Sequence, residues 1–327
     1  MIAVKKLRLN LGEPETKLKS KAARVLGVRE ETLRELTLLK KSLDARDKRD
    51  IHWTYTVAVT ARDEARLLRR AGDRAAVYAP APYRIAQARS AQRPVVAGFG
   101  PAGMFAALIL AEAGLRPVVL ERGADVDART RAVRRFWETG ELDEGSNVLF
   151  GEGGAGTFSD GKLNTGTHDR RNRFVLETLY RFGAPEQILW DAKPHVGTDV
   201  LSGVVKALRE RVIALGGEVR FCTRLCGIEA DAEGSICAVE VEGPEGRSRI
   251  GCRELVLAIG HSARDSYALL HSLGVPMERK PFSMGVRIEH LQREIGLAQY
   301  GDSYVNLPPA DYRLSVQLPD GESAYTF

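Results

Sequence analysis

The chain has 327 residues, 44% of them hydrophobic and 28% charged, which excludes a disordered, collagen-like or coiled-coil protein and leaves room for about two domains. Its net charge of +5 averages two unlike parts: residues 1–90 hold 21 Lys and Arg against 11 Asp and Glu, a net of +10, and the remainder carries −5. No apolar stretch of signal-peptide length opens the sequence, and Cys222, Cys226, Cys237 and Cys252 form no C-x-x-C, which argues for a soluble cytoplasmic protein without a disulfide framework.

Residues 1–90 read as a small basic α/β module. A strand over 2–9 leads to Pro14, placed to start a helix that runs to about residue 25 and stops at Gly27. Two further strands are expected at 33–40 and 51–60, the second with clear alternation. A Pro-rich linker near residues 79–82 follows.

From residue 94 the character changes. PVVAGFGPAGMFAALILAEAGLRPVVLERG predicts a buried strand (95–97), a glycine turn, an apolar helix to residue 113 and a second strand (117–121), a βαβ unit whose all-apolar strands suit a parallel sheet covered on both faces. The apolar run 95–111 is long, but its glycines and proline belong to the turn rather than to a membrane span. Farther on, Thr198 is expected to cap an amphipathic helix carrying Leu201, Val204, Val205, Leu208 and Val212, with a strand at 218–222 after it. Short strands at 225–230, 236–241 and 248–253 precede another buried strand, 255–259. Cys222 and Cys226 would share a face of one strand as small buried hydrophobes.

Gly98, Phe99, Gly100, Pro101, Ala102 and Gly103 form a G-x-G-x-x-G between strand and helix. The first glycine permits the tight turn, the second removes a side chain where a pyrophosphate approaches, and the third lets helix and strand pack closely. Phosphate then sits on the helix N-terminus. Glu121 ends the second strand, where a carboxylate accepts from ribose hydroxyls and disfavours a 2′-phosphate. A second G-x-G-x-x-G at Gly151, Gly153 and Gly156 lacks a following helix. It reads either as a loop that gathers amides around an anionic or polar ligand, or as a plain surface loop.

Residues 94–123 resemble the FAD-binding start of the glutathione-reductase-like flavoproteins, where the acid is often followed by Arg, as in Glu121-Arg122-Gly123. Residues 224–260 are similar to the three-stranded crossover of that superfamily and finish on Ala258-Ile259-Gly260. FGEGGAGTFSDGKLNT, DAKPHVGTD, LAIGHSARD and KPFSMGVRIEH narrow the resemblance to a family of uncharacterised FAD-dependent dehydrogenases that carry a small α/β module ahead of the flavin domain. The resemblance implies a Rossmann-like α/β fold: module 1–90, FAD-binding domain 91–274 with a glycine-rich flavin-contacting insertion at 139–199, and the start of a substrate domain at 275–327. Members of the family continue farther, so the sequence is expected to be an N-terminal fragment. Carried over by residue, the resemblance implies pyrophosphate contacts at Gly98 to Gly103 and ribose contacts at Glu121 and Arg122. It implies flavin-side contacts at Gly154, Ala155, Gly156, Thr157, Asp160, Lys162 and Leu163, an adenine-side contact at Leu225, and closure at Ile259 and Gly260.

The reading is therefore an FAD-dependent oxidoreductase of unknown substrate, with substrate bound over the flavin and NAD(P)H, for which no second dinucleotide fold is present, binding as a transient electron donor or not at all. His261 and His195 are the catalytic candidates, each with an ordinary surface or capping role as its alternative, and Arg287 and His290, on a strand expected at KPFSMGVRIEH, are weighed as substrate-site residues against a structural role. Histidine spacing gives no metal site. Two other functions stay open. A flavoprotein could act on RNA through the basic module, with Trp53 and Tyr55 stacking on bases. A non-catalytic FAD-binding interaction protein is the third reading.

Overall fold

The computed structural model describes all residues except 81, 159, 160, 164, 168, 320 and 327. The chain divides into two compact units, residues 1–80 with 190–192 and 280–327, and residues 81–189 with 193–279.

In the first unit, β1 (Ile2–Asn10), α1 (Lys17–Leu26), β2 (Leu36–Asp44), β3 (His52–Val59), α2 (Glu64–Ala71) and β4 (Ala75–Val77) build a four-stranded sheet of order β2-β3-β1-β4. The β1–β3 and β2–β3 pairs are antiparallel. A register shift between Val4 and Leu7 turns Lys5 and Lys6 to solvent, after which Leu7 and Leu9 return to the core. Leu18, Ala22, Ala23 and Leu26 line one face of α1 and pack on Ile2, Val4, Tyr55, Val57 and Val59. Leu67 places α2 on the same core, a helix that the alternating strand pattern around it did not announce.

The second unit opens with β5 (Val95–Ala97), α3 (Pro101–Glu112), β6 (Val118–Leu120), α4 (Val126–Thr139), α5 (Arg171–Arg181) and α6 (Thr198–Ala214). It continues through β7 (Glu218–Arg220), β8 (Arg224–Ala230), β9 (Ile236–Gly243), β10 (Gly246–Gly251), β11 (Leu255–Leu257) and α7 (Arg264–Ser272). β11-β5-β6-β7 form a parallel sheet, and β10-β9-β8 a separate antiparallel one. Alternate strand residues point to opposite faces. Val96 and Val119 meet Met104, Ala107 and Leu108 of α3 and Val205, Leu208 and Val212 of α6, while Val95, Ala97, Val118 and Leu120 meet Leu225, Val239 and Val241 of the second sheet. Both faces of the parallel sheet are thus covered, which is why β5, β6 and β11 are apolar, while the edge strand β7 carries Glu218 and Arg220.

In residues 280–327, α8 (Gln292–Tyr300) is followed by the short antiparallel pair β12 (Ser315–Gln317) and β13 (Ser323–Tyr325). The KPFSMGVRIEH segment, expected as a strand, has no regular secondary structure. Other expectations also change. Thr198 is the first residue of α6 rather than its cap, which is Gly197, and no side chain caps that end. Cys222 is exposed and lies between β7 and β8 in a left-handed turn (φ 50°), so it shares no strand with Cys226; of the four cysteines only Cys252 is buried. Among the described residues no helix is long and apolar enough to cross a membrane.

Candidate functional site

At the carboxyl ends of β5, β6 and β11 the second unit has a cavity of about 520 Å³, within the range of small-molecule sites. Its floor is the G-x-G-x-x-G turn, and each glycine of that turn has its own steric reason. Gly98 has φ 101°, and a Cβ there would lie 2.3 Å from the carbonyl oxygen of Ala258. A Cβ on Gly103 would sit 1.9 Å from the carbonyl oxygen of Gly98, so α3 approaches the turn only because the third glycine is bare. Gly100 instead faces the cavity, with Gly154 as its near neighbour. Gly100 caps α3 without a side-chain bond and Pro101 opens the helix, so the free first-turn amides and the positive dipole end are presented to the cavity.

Glu121 is buried at the end of β6 and lines the same cavity. Its Oε2 accepts the N–H of Phe99 at 2.8 Å, and its Oε1 accepts those of Gly123 and Gly151, each at 2.9 Å. A carboxylate offers about four lone-pair directions, so three backbone amides leave room for one more donor, at Oε2. That corrects the expectation that Glu121 is free to take both ribose hydroxyls: the same carboxylate clamps the turn to the glycine loop. Arg122 donates through Nη2 to both oxygens of Asp265 (2.8 and 3.0 Å), and its guanidinium lies 4.5 Å from the Phe150 ring centre. Burial works against ionisation of Asp265, but Arg122 and then Arg224 (3.1 Å) hold its carboxyl below the ordinary value.

The cavity brings together Gly98, Gly100, Pro101, Ala102, Glu121, Arg122, Gly154, Ala155, Gly156, Leu225, Ile259 and Gly260, with His261 beside them. Phe99 and Gly103 are buried behind its wall. Thr157 is buried as well, its hydroxyl donating to the Glu152 carbonyl at 3.2 Å, so its role is to close the glycine loop. Lys162 and His195 are exposed, pair with each other through the backbone and do not line the cavity. Leu163 donates its N–H to Pro194 and also lies off the wall. Asp160 lies outside the described residues. Arg287 is exposed, and His290 Nε2 is 2.8 Å from the Tyr312 hydroxyl.

The residues that sequence reasoning missed lie under the loop. Arg129 of α4 is fully buried, and its guanidinium donates to the carbonyls of Asn147 (2.8 Å), Val148 (2.9 Å) and Glu152 (2.6 Å). Burial pulls its pKa down to about 10. Gly151 must be glycine because a Cβ there would lie 2.4 Å from the Arg129 Cδ. Glu152, also fully buried, accepts from the Val126 N–H at 2.7 Å and pairs with Arg209 at 2.8 Å, while its Oε1 has no partner. Burial raises its carboxyl pKa. The one sequence signal for this arrangement was Arg129 itself, a charge standing on the Val126–Val133 apolar stripe of α4.

Residues 1–60 match a family model described as a domain of unknown function, DUF8436, and residues 281–327 match one described as FAD-dependent protein, C-terminal domain-like. An uncharacterized protein of Clostridium beijerinckii is 45% identical over 323 residues, which is 97% of this chain and 60% of that protein. The chain therefore spans about three fifths of the relative's length. Among solved structures, the anhydrotetracycline hydroxylase OxyS of Streptomyces rimosus is 26% identical over 55% of this chain and 34% of its own, with a TM-score of 0.32. THI4 of Thermovibrio ammonificans is 17% identical over 57% of this chain and 64% of its own, with a TM-score of 0.39. Superpositions this loose assign neither fold nor activity.

Proposed function

We propose that the second unit binds FAD and that the chain belongs to an FAD-dependent oxidoreductase. The observation that carries this is the convergence of the α3 N-terminus, the remaining acceptor site of Glu121 and three close-packed glycines on one cavity. That donor set suits a dinucleotide: amides and helix dipole for the pyrophosphate, a carboxylate oxygen for a ribose hydroxyl, and a Gly100–Gly154 cradle that side chains would fill. Preference for FAD over a free nicotinamide dinucleotide is supported by the β8–β10 sheet inserted between β7 and β11, and by the family description matched at residues 281–327.

Bound FAD would supply hydride and electron transfer at its ring, and the protein's part is to bind, orient and shield it. Arg129 holds the glycine loop, the loop's Gly154 packs on the phosphate turn, and Arg122 with Asp265 closes the ribose side. His261 lines this phosphate-and-ribose cavity, so its role is a hydrogen bond to the cofactor rather than proton transfer at the ring. The test is the visible spectrum of the purified protein, followed by anaerobic titration with NADH and NADPH. A bound flavin lost in Glu121→Ala supports the reading, and a protein that takes up no FAD in either form sinks it. Flavin bound but reduced by no donor would leave a binding protein without redox function.

A further inference from the structure

Apart from the dinucleotide cavity, the first unit has a groove of about 460 Å³. Val28, Ala61 and Leu67 make an apolar floor, and Arg34, Arg62, Arg66 and Arg70 stand around it. The arginines come from three segments: Arg66 and Arg70 are one turn apart on α2, Arg62 precedes that helix, and Arg34 is tied to the strand side through its N–H to the Thr60 carbonyl. Arg70 is already oriented. Its Nη1 donates to the Gly27 carbonyl at 3.0 Å, at the C-terminal end of α1 where a cation is favoured, and a Cβ on Gly27 would lie 2.2 Å from its Cζ.

The charges around the groove are not internally matched. Elsewhere in the unit, Arg8 pairs with Asp50, Arg46 with Asp44, and Arg49 with Asp47. Glu31 and Asp63 line the groove, yet none of the four arginines forms a salt bridge with either, among the described residues. Four guanidiniums against two carboxylates leave an excess of positive charge facing one opening, a field that an anion relieves. Among the described residues no aromatic ring lines the groove, and Tyr55 is buried with its hydroxyl on Glu15 at 2.9 Å, so the groove itself offers no ring for a base to stack on.

We infer that this groove binds an organic phosphate, with its apolar body on Val28, Ala61 and Leu67 and its phosphates on the arginines. A nucleotide has this chemistry. Guanidinium forks suit phosphate oxygens, and the volume fits a small molecule rather than a lone anion.

The test is calorimetric titration of the full chain with ATP in the presence of saturating FAD, which fills the cavity of the second unit if that proposal holds. Arg62→Glu with Arg66→Glu should weaken ATP by tenfold or more, about the cost of a lost charge-assisted contact. Arg46→Glu with Arg49→Glu makes the same charge change and should leave ATP binding within about twofold. If the groove double variant misfolds by circular dichroism, Arg34→Gln serves in its place. Equal losses in both doubles overturn the proposal, as does tripolyphosphate binding as tightly as ATP. Binding of a single-stranded RNA 12-mer without ATP binding overturns it in favour of a nucleic-acid surface. Loss of ATP binding in Glu121→Ala but not in the groove variants would place the nucleotide in the other cavity. A chain that takes no FAD yet shows the groove contrast would separate the two proposals.

Discussion

The two cavities would meet an anion in opposite ways. In the second unit the donors are backbone amides, held by glycines, a helix end and a buried carboxylate, and the region needs no net positive charge. In the first unit the donors are side chains on a surface with excess Lys and Arg. Backbone donors are fixed by the fold and cost no side-chain entropy on binding, so they give precise placement. Exposed guanidiniums give reach and charge, and their attraction is screened by salt. The same class of group can thus be met by geometry in one place and by field in another.

This contrast can be broken most severely beneath the glycine loop. Arg129→Met should leave the carbonyls of Asn147, Val148 and Glu152 without their donor and cost about 4 kcal/mol. Urea unfolding measures the cost, and a loss below about 1 kcal/mol would show that the loop does not depend on the guanidinium. Next, Gly103→Ala places a methyl against the Gly98 carbonyl and should cost about 3 kcal/mol by the same assay, with loss of FAD uptake. Gly140→Ala is the comparison, since its Cβ meets nothing within 4 Å and only its left-handed backbone (φ 77°) is strained.

Glu121→Gln has a smaller effect. A Gln amide nitrogen cannot accept from the Phe99 or Gly151 N–H, so one clamp is lost and FAD affinity should fall about tenfold to a hundredfold. Equilibrium dialysis checks this, and unchanged affinity would mean that backbone amides alone position the dinucleotide.

The subtlest test is pH. Burial raises the Glu152 carboxyl, so the folded chain holds that proton more tightly than the unfolded one. Stability of the second unit should therefore fall as pH rises from the ordinary Glu range through the raised value. Glu152→Gln should flatten that slope, as measured by thermal melts at successive pH values. A slope identical to wild type would show that Glu152 stays ionised on Arg209.

The glycine turn, its helix and Glu121 were legible because each depends on local chemistry: a bare Cα, a helix end, an acid closing a strand. α3 and β6 lie within a few residues of the positions read from the sequence for the same reason. The KPFSMGVRIEH segment was misread as a strand because local sequence cannot supply the partner strand that a ladder needs. Cys222 was misplaced because a left-handed turn at one residue reverses the side chain without altering the pattern around it. α4 and α5 went unread because their charged surfaces blend into the glycine-rich segment between them.

By itself the sequence determined a glycine turn between strand and helix, an apolar strand pair and a basic first segment, since these follow from side-chain size, hydropathy and charge along the chain. Only the tertiary structure decided that Glu121 spends three of its lone pairs on the backbone and that Arg129 sits beneath the loop. Tertiary structure also decided that four arginines share one groove. Those facts depend on which carbonyls, amides and charges meet across many residues, and local spacing carries no record of such meetings.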